Sequence, residues 1–467
     1  MVIKGYYTYI IKNKNKMSKV DFLISYEHKS RELESILLIK KELEGRGYTV
    51  QLHGLYDKDF CVHQPLKKVN PKVIVVPAAY DLGIISCFAY NLAGLNNKIV
   101  NLQWEQVLSL KEEADEQGYH NPKGLAKQVV HLCWGSNTLN RLLKGGVDPK
   151  KVFVTGPVHL DLLRPDFNKY FLTRKELSSI FNLNDSKDWI LFVSSFSYCT
   201  ISETQLQTIA DSYGIDDTTY FKNFSLQSKE QILSWFELLL EKGLDKILIY
   251  RPHPDEVGRD SRLIELERKY PNFRVISDYP LKHWVKAADN IFNWYSTSMA
   301  DIFFLNKPCQ ILRPVKIRAE QEVAIFKNAR FITQYKDFEN CVNGDSTFCM
   351  SLDSEVIKGY YKFDAKPCFL NVCDVLEKVY SSTQYDIKIS LDLKIKDFIN
   401  RFKVPIGNYI FSHIPKDSIL INFSFVRRRI ENRQKIAEWY KKAYSKSVAS
   451  EKEILDIEAR FEQILSK

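Results

Sequence analysis

The sequence predicts an α/β protein of two doubly wound, Rossmann-like domains in tandem, followed by a helical C-terminal extension. Three observations predict it. Short apolar runs alternate with amphipathic stretches through most of the chain. The alternation pauses around Arg164–Lys187 and then restarts. The chain has 467 residues, and at roughly 150 residues per domain that length calls for two to three domains.

In order, residues 1–17 read as a leader and 18–165 as the first domain. Val20–Ser25 is an apolar run that reads as a buried strand. Leu33, Ile36, Leu37 and Leu43 line one face of the following helix, which Gly47 ends. Tyr48–Leu52, Val73–Pro77, Ile99–Gln103, Val129–Cys133 and Val152–Thr155 continue the strand series, with a helix from about Asp81 between two of them. The second domain, 180–375, begins with the strand Trp189–Ser194. A polar excursion over 200–225 and an amphipathic helix, Ser228–Lys242, come next. Strands follow at Lys246–Tyr250, Phe273–Ser277, Asn290–Phe292 and Cys309–Leu312. Residues 376–467 read as a basic helical tail.

Hydrophobic residues make up 45% of the chain and charged residues 27%, a globular balance. No stretch approaches the roughly 18 uninterrupted apolar residues of a membrane span. Met1–Lys16 has no apolar core of a secretory signal, so a cytoplasmic location is expected. The nine cysteines are scattered without metal-ligand spacing, which implies reduced structural thiols and no metal site. Sixty-seven basic against 57 acidic residues give a net charge of +10. That excess suits an anionic partner: a nucleotide, a phosphorylated substrate or a membrane surface. No nucleic-acid-binding module is recognisable.

In open α/β sheets ligands bind beyond the carboxyl ends of the strands, and two such domains in tandem are expected to face each other across a cleft. The strand Lys246–Tyr250 runs into Arg251, Pro252, His253, Pro254, Asp255 and Glu256. The prolines restrict the backbone around His253. A fixed arginine and imidazole at a strand end suit a phosphate, a structural turn being the alternative. Ser296, Thr297 and Ser298 precede a short helix carrying Asp301. Hydroxyls there suit an anion and Asp301 a ribose, the alternative being a plain helix cap. Ser194 and Ser195 end another strand and would line the same site. In the first domain, Glu27 and His28 follow one strand and Glu105 follows another beside Trp104, whose indole is expected to raise the Glu105 pKa. A carboxylate there would deprotonate an acceptor hydroxyl or attack as a nucleophile. The alternatives are a helix cap for Glu27 and a surface ion pair for Glu105.

Several of these residues resemble known families. Val152–Asp161 is similar to the T-G-x-P-x-x-D segment that ends the first domain of GT-B proteins, with the proline one position early at Pro157. UDP-N-acetylglucosamine 2-epimerases and CDP-glycerol glycerophosphotransferases carry similar segments. Arg251-Pro-His253-Pro followed by Ser296–Ser298 resembles those glycerophosphotransferases and the capsule and lipopolysaccharide Kdo transferases and sialyltransferases that use CMP-sugars. Tyr26–Lys29, Asn101–Gln106 and Leu191–Phe196 are similar to bacterial surface carbohydrate biosynthesis proteins.

The resemblance implies a glycosyltransferase that moves a sugar, Kdo-like or another ulosonic acid, from a cytidine nucleotide to a surface-polysaccharide acceptor. That acceptor would be an oligosaccharide or a lipid-linked glycan. It implies that Arg251, His253, Ser296, Thr297 and Ser298 hold the donor phosphate, Asp301 its ribose, and Glu105, or else Glu27 or His28, the chemistry. The nucleotide-sugar is a co-substrate; no cofactor and no metal are implied. The rivals are a CDP-polyol phosphotransferase, a sugar-nucleotide 2-epimerase and a non-catalytic scaffold of a polysaccharide-synthesis complex. In the tail, Arg427–Ala443 carries seven basic residues against Glu431 and Glu438, with Trp439 and Tyr440 among them. It reads either as a helix lying on the anionic inner face of the membrane or as one packed back on the first domain.

Overall fold

The computed structural model describes residues 18–54, 69–81, 98–203, 205–207, 218–254, 256, 260–344, 351–392, 394–395, 418, 423–424, 426–428 and 448–465. The leader, the helix after Asp81, Asp255 and most of the basic stretch from Arg427 lie outside the described residues. The chain divides into two compact units. Unit 1 takes the described residues up to Gln106, then Glu116–Asp161 and those from Tyr361 onward. Unit 2 takes Val107–Asp115 and Leu162–Tyr360.

In unit 1, β1 (Ser18–Tyr26) buries Phe22, Leu23 and Ile24 in succession. Consecutive burial marks a parallel strand covered on both faces. Helix α1 (Lys29–Gly45) buries Leu33, Ile36, Leu37 and Leu43 and is followed by Gly47 at φ 90°. Then come β2 (Val50–Gly54), β3 (Val69–Val76), β4 (Ile99–Asn101), β5 (Val130–Cys133), α2 (Ser136–Lys144) and β6 (Val152–Val154). The six strands are parallel in the order β2-β1-β3-β4-β5-β6.

Unit 2 repeats the plan with β7 (Trp189–Val193), α3 (Thr218–Glu241), β8 (Ile247–Arg251), β9 (Phe273–Val275), β10 (Asn290–Asn293), α4 (Met299–Phe304), β11 (Cys309–Leu312) and β12 (Phe331–Ile332). Its parallel order is β12-β11-β10-β7-β8-β9. Two expectations are corrected here. The stretch Arg164–Lys187, where the alternation was expected to pause, holds a 3-10 turn, Pro165–Tyr170, and a helix, Arg174–Phe181, opened by a Thr173–Glu176 capping box. Helix α3 starts at Thr218 rather than Ser228. Aromatic packing explains this, since Phe221 lies 5.1 Å from the Tyr295 ring and Phe224 5.1 Å from Trp294. The two-residue strand β12 carries too little pattern to be read from sequence.

After unit 2 the chain returns to unit 1 with α5 (Cys368–Ser381) and, further on, α6 (Glu451–Leu465). Both ends of α5 are capped from distant sequence. The buried Asp161 carboxylate accepts the N–H groups of Cys368 at 2.9 Å and Phe369 at 2.7 Å. Lys98 Nζ donates toward the carbonyls of Val379, Tyr380 and Ser382 at 2.8–3.0 Å. A carboxylate at a helix start and an ammonium at its end both oppose the helix dipole. The segment resembling T-G-x-P-x-x-D is therefore a clamp on the returning chain. Helix α6 lies along α1 through Lys29–Glu453 and Lys40–Glu458, both 2.8 Å, and Lys41–Glu462 at 3.4 Å, and it buries Phe461 completely. This part of the tail belongs to the packed structure. Two doubly wound parallel sheets with a helical C-terminal region make this a two-domain α/β protein of GT-B type. No helix among the described residues is long and apolar enough to cross a membrane.

Candidate functional site

In unit 2 the chain steps from β7 outward through β8 and β9, then restarts on the other side with β10, β11 and β12. The order therefore switches between β7 and β10, the place where open α/β sheets bind ligands. Ser194 and Ser195 end β7, Ser296–Ser298 follow β10, and Arg251–His253 ends β8. Val193 pairs with Asn293 on one side and Arg251 on the other, so these ends are level on three adjacent strands.

A residue with no separate role in the sequence reading ties them together. Glu256, its side chain only 4% exposed, accepts the N–H of His253 at 3.0 Å and of Phe196 at 3.2 Å. The Ser194 hydroxyl donates to it, and the Tyr250 hydroxyl lies 3.0 Å from its other oxygen. Lys229 Nζ is 3.8 Å away. Burial pushes the Tyr250 phenol well above its ordinary pKa, which keeps it a donor. The His253 loop is thus fixed by its backbone to the end of the neighbouring strand, leaving the imidazole half-buried. Arg251 acts locally: its guanidinium donates to the carbonyls of Ile276 at 3.2 Å, Asp278 at 2.6 Å and Tyr279. Burial lowers its pKa to about 10.

After β10, the Ser296 N–H donates to Asn293 Oδ1 at 2.9 Å, and the Ser296 and Ser298 hydroxyls meet at 2.8 Å. The Ser298 side chain does not cap α4, but the Ser296 hydroxyl accepts the Ser298 N–H at 3.3 Å, so the cap alternative stands for Ser296. Thr297 is exposed. Asp301 sits 3.7 Å from Lys282 Nζ, both mostly buried. Ser195 Oγ is buried with no hydrogen-bond partner among the described residues. In Glu256→Gln the amide oxygen can still accept the two backbone N–H groups, but the buried charge is lost and the NH2 then faces the Tyr250 hydroxyl and Lys229 Nζ, both donors to the carboxylate. We expect a loss of about 2–4 kcal/mol by urea denaturation, with weaker nucleotide binding in calorimetry.

In unit 1 the switch lies between β1 and β3. Tyr26–His28 leave β1, and Glu105 stands one strand beyond β3, after β4. Helix α1 turns Arg31 and Glu32 back over both. The buried Glu32 accepts the Glu27 N–H at 2.9 Å, so Glu32 caps the turn, not Glu27. Arg31 donates to Glu32 at 2.7 Å and to Glu105 at 3.0 Å. His120 reaches Glu105 at 3.5 Å, and His28 lies 3.9 Å from Glu27. The expected effect of Trp104 is corrected: Glu105 is drawn down to about 2, first by His120 and then by Arg31 against the opposing effect of burial. Glu27 takes the raised value, about 7, from burial and from the charges of Glu32 and Glu105, with Arg31 opposing. Burial also raises Glu32, so three carboxyls with divided protonation meet here, an arrangement that suits acid–base chemistry. Arg31 adjoined the segment singled out in the sequence, but nothing in the sequence links His120 to Glu105.

No protein-family model and no curated protein sequence matches this chain. Among solved structures it is similar to the UDP-GlcNAc 2-epimerase of Methanocaldococcus jannaschii in complex with UDP-GlcNAc and UDP, at 14% identity over 77% of this chain and 99% of that one, TM-score 0.46. It is similar to a variant of the wall teichoic acid polymerase TagF at 12% identity over 81% and 96%, TM-score 0.48. A putative UDP-N-acetylglucosamine 2-epimerase from Listeria monocytogenes gives 12% over 80% and 100%, TM-score 0.48.

Proposed function

We propose that the protein is a glycosyltransferase that takes a sugar, Kdo-like or another ulosonic acid, from a cytidine nucleotide and adds it to a surface-polysaccharide acceptor. One observation carries the reading: His253, Ser194–Ser195 and Ser296–Ser298 stand level at three adjacent strand ends, astride the switch point of unit 2. An imidazole and paired hydroxyls suit the single phosphate of a CMP-sugar. Arg251 holds the Ile276–Tyr279 loop beside them. Glu27 in unit 1 takes the proton of the acceptor hydroxyl as its oxygen attacks the anomeric carbon, and CMP leaves with the bonding electrons. Arg31 and His120 keep Glu105 ionised, which holds the guanidinium in place. The basic stretch Arg427–Ala443 would bring the enzyme to a lipid-linked acceptor at the inner membrane face.

His253→Ala is expected to weaken CMP binding roughly ten- to a hundredfold in calorimetry, with an unchanged circular-dichroism spectrum. Unchanged affinity in the folded variant would remove His253 from the site. Product mass separates the reading from its polyol-phosphate rival, because a transferred sugar adds no phosphorus.

A further inference from the structure

The carboxyl ends of β4, β5 and β6, three adjacent strands of unit 1, carry a cluster of aromatic rings that the proposed chemistry does not use. Trp104 follows β4, Trp134 follows β5 and His159 follows β6. The His159 ring lies 4.8 Å from Trp134 and 6.5 Å from Trp104, and Tyr361 stacks on Trp134 at 5.7 Å and 22°. Trp104 is 5% exposed, whereas Trp134 and His159 are half-buried and open to solvent.

At the β4 end of this cluster two buried donors, Gln103 Nε2 and Trp104 Nε1, have no acceptor among the described residues. They are neighbours in the chain and directly precede the half-exposed Glu105. Gln103 is fully buried and sits at φ 48°, in the left-handed region that a side-chain-bearing residue seldom adopts. Its N–H is held by Asn101 Oδ1 at 2.9 Å, and Asn101 is held in turn by His131 at 3.1 Å. Buried donors are nearly always paired, and strained backbone concentrates at binding sites. Ligand pockets combine aromatic walls with a few placed polar groups.

We propose that Gln103, Trp104, Trp134 and His159 form a saccharide subsite that takes one ring of the acceptor. A pyranose offers what the cluster lacks: an apolar C–H face for an aromatic ring, and oxygens to accept from the two N–H groups. The subsite rests on the reading of the chain as a glycosyltransferase, and it sets the acceptor sugar beside Glu105 rather than a lipid or a peptide.

The test uses the full-length protein with saturating CMP, applied to an array of capsule- and lipopolysaccharide-derived oligosaccharides. Trp104→Phe removes the N–H and keeps a buried ring; Trp134→Leu removes the open ring face. Each variant is expected to lose about tenfold in saccharide affinity while its thermal transition and its CMP affinity stay those of the parent. Saccharide binding in both variants that equals the parent's overturns the proposal and leaves buried water as the partner of the two donors. So does a parent protein that binds CMP and retains no saccharide, an outcome that leaves the donor reading standing. Saccharide retained by the parent, lost in the variants, and bound without any affinity for CMP supports the subsite and overturns the donor reading instead.

Discussion

Glu27→Gln should keep its fold and lose roughly 10²–10⁴-fold in turnover, the usual contribution of a positioned general base. On the proposed reading the parent protein should show kcat/KM rising with pH up to about 7 and levelling above it, because a general base works only after losing its proton. Glu105→Gln should stay active with its profile moved to lower pH, since the Glu105 charge is one of the causes that raise Glu27. Stability gives an independent readout. The Glu27 carboxyl loses its proton near 4.5 in the unfolded chain and near 7 in the folded one. Folding therefore takes up a proton between those values, and the stability associated with it is complete below 4.5 and lost as pH rises through 7. Glu27→Gln should melt higher than the parent at pH 8 and close to it at pH 4. A dead Glu105→Gln beside a fully active Glu27→Gln would reverse the assignment.

Gly156→Ala should be among the most destabilising single changes in unit 1, about 3–5 kcal/mol by urea denaturation. Gly156 has φ +82°, and a Cβ built there would lie 2.4 Å from the Lys362 carbonyl oxygen and 2.5 Å from Cys368 Sγ. One of those contacts is backbone, which cannot swing aside. The strain falls where the chain returns to unit 1, beside the Asp161 cap of α5. A midpoint within experimental error of the parent would mean that the loop around Lys362 yields freely.

Much of this was legible before folding. Apolar runs such as Val20–Ser25 and Lys246–Tyr250 announced parallel strands, because burial on both faces leaves no room for alternation. Strand ends then placed His253, Ser194 and Ser296 together once the order of strands was known. Side-chain pairing was less visible. The partners of Glu105 sit 74 residues upstream, at Arg31, and within a loop at His120, so their influence on its proton had no local trace. Trp104 looked like a desolvating neighbour, yet the ion pair outweighed it. Glu256 hid in plain view: its role depends on Ser194 and Phe196, 60 or more residues earlier.

The discontinuity of unit 1 has a bearing on synthesis. Unit 2 is complete once Tyr360 has been made, whereas unit 1 still lacks α5, which Asp161 and Lys98 hold at its two ends, and α6, which lies along α1. About a hundred residues separate the two events, roughly 5–20 s of elongation. During that interval the lysines of α1 and the hydrophobic surface destined for Phe461 face solvent or a chaperone. The unit that starts first is the one that finishes last, and the nascent chain matures from its middle outward.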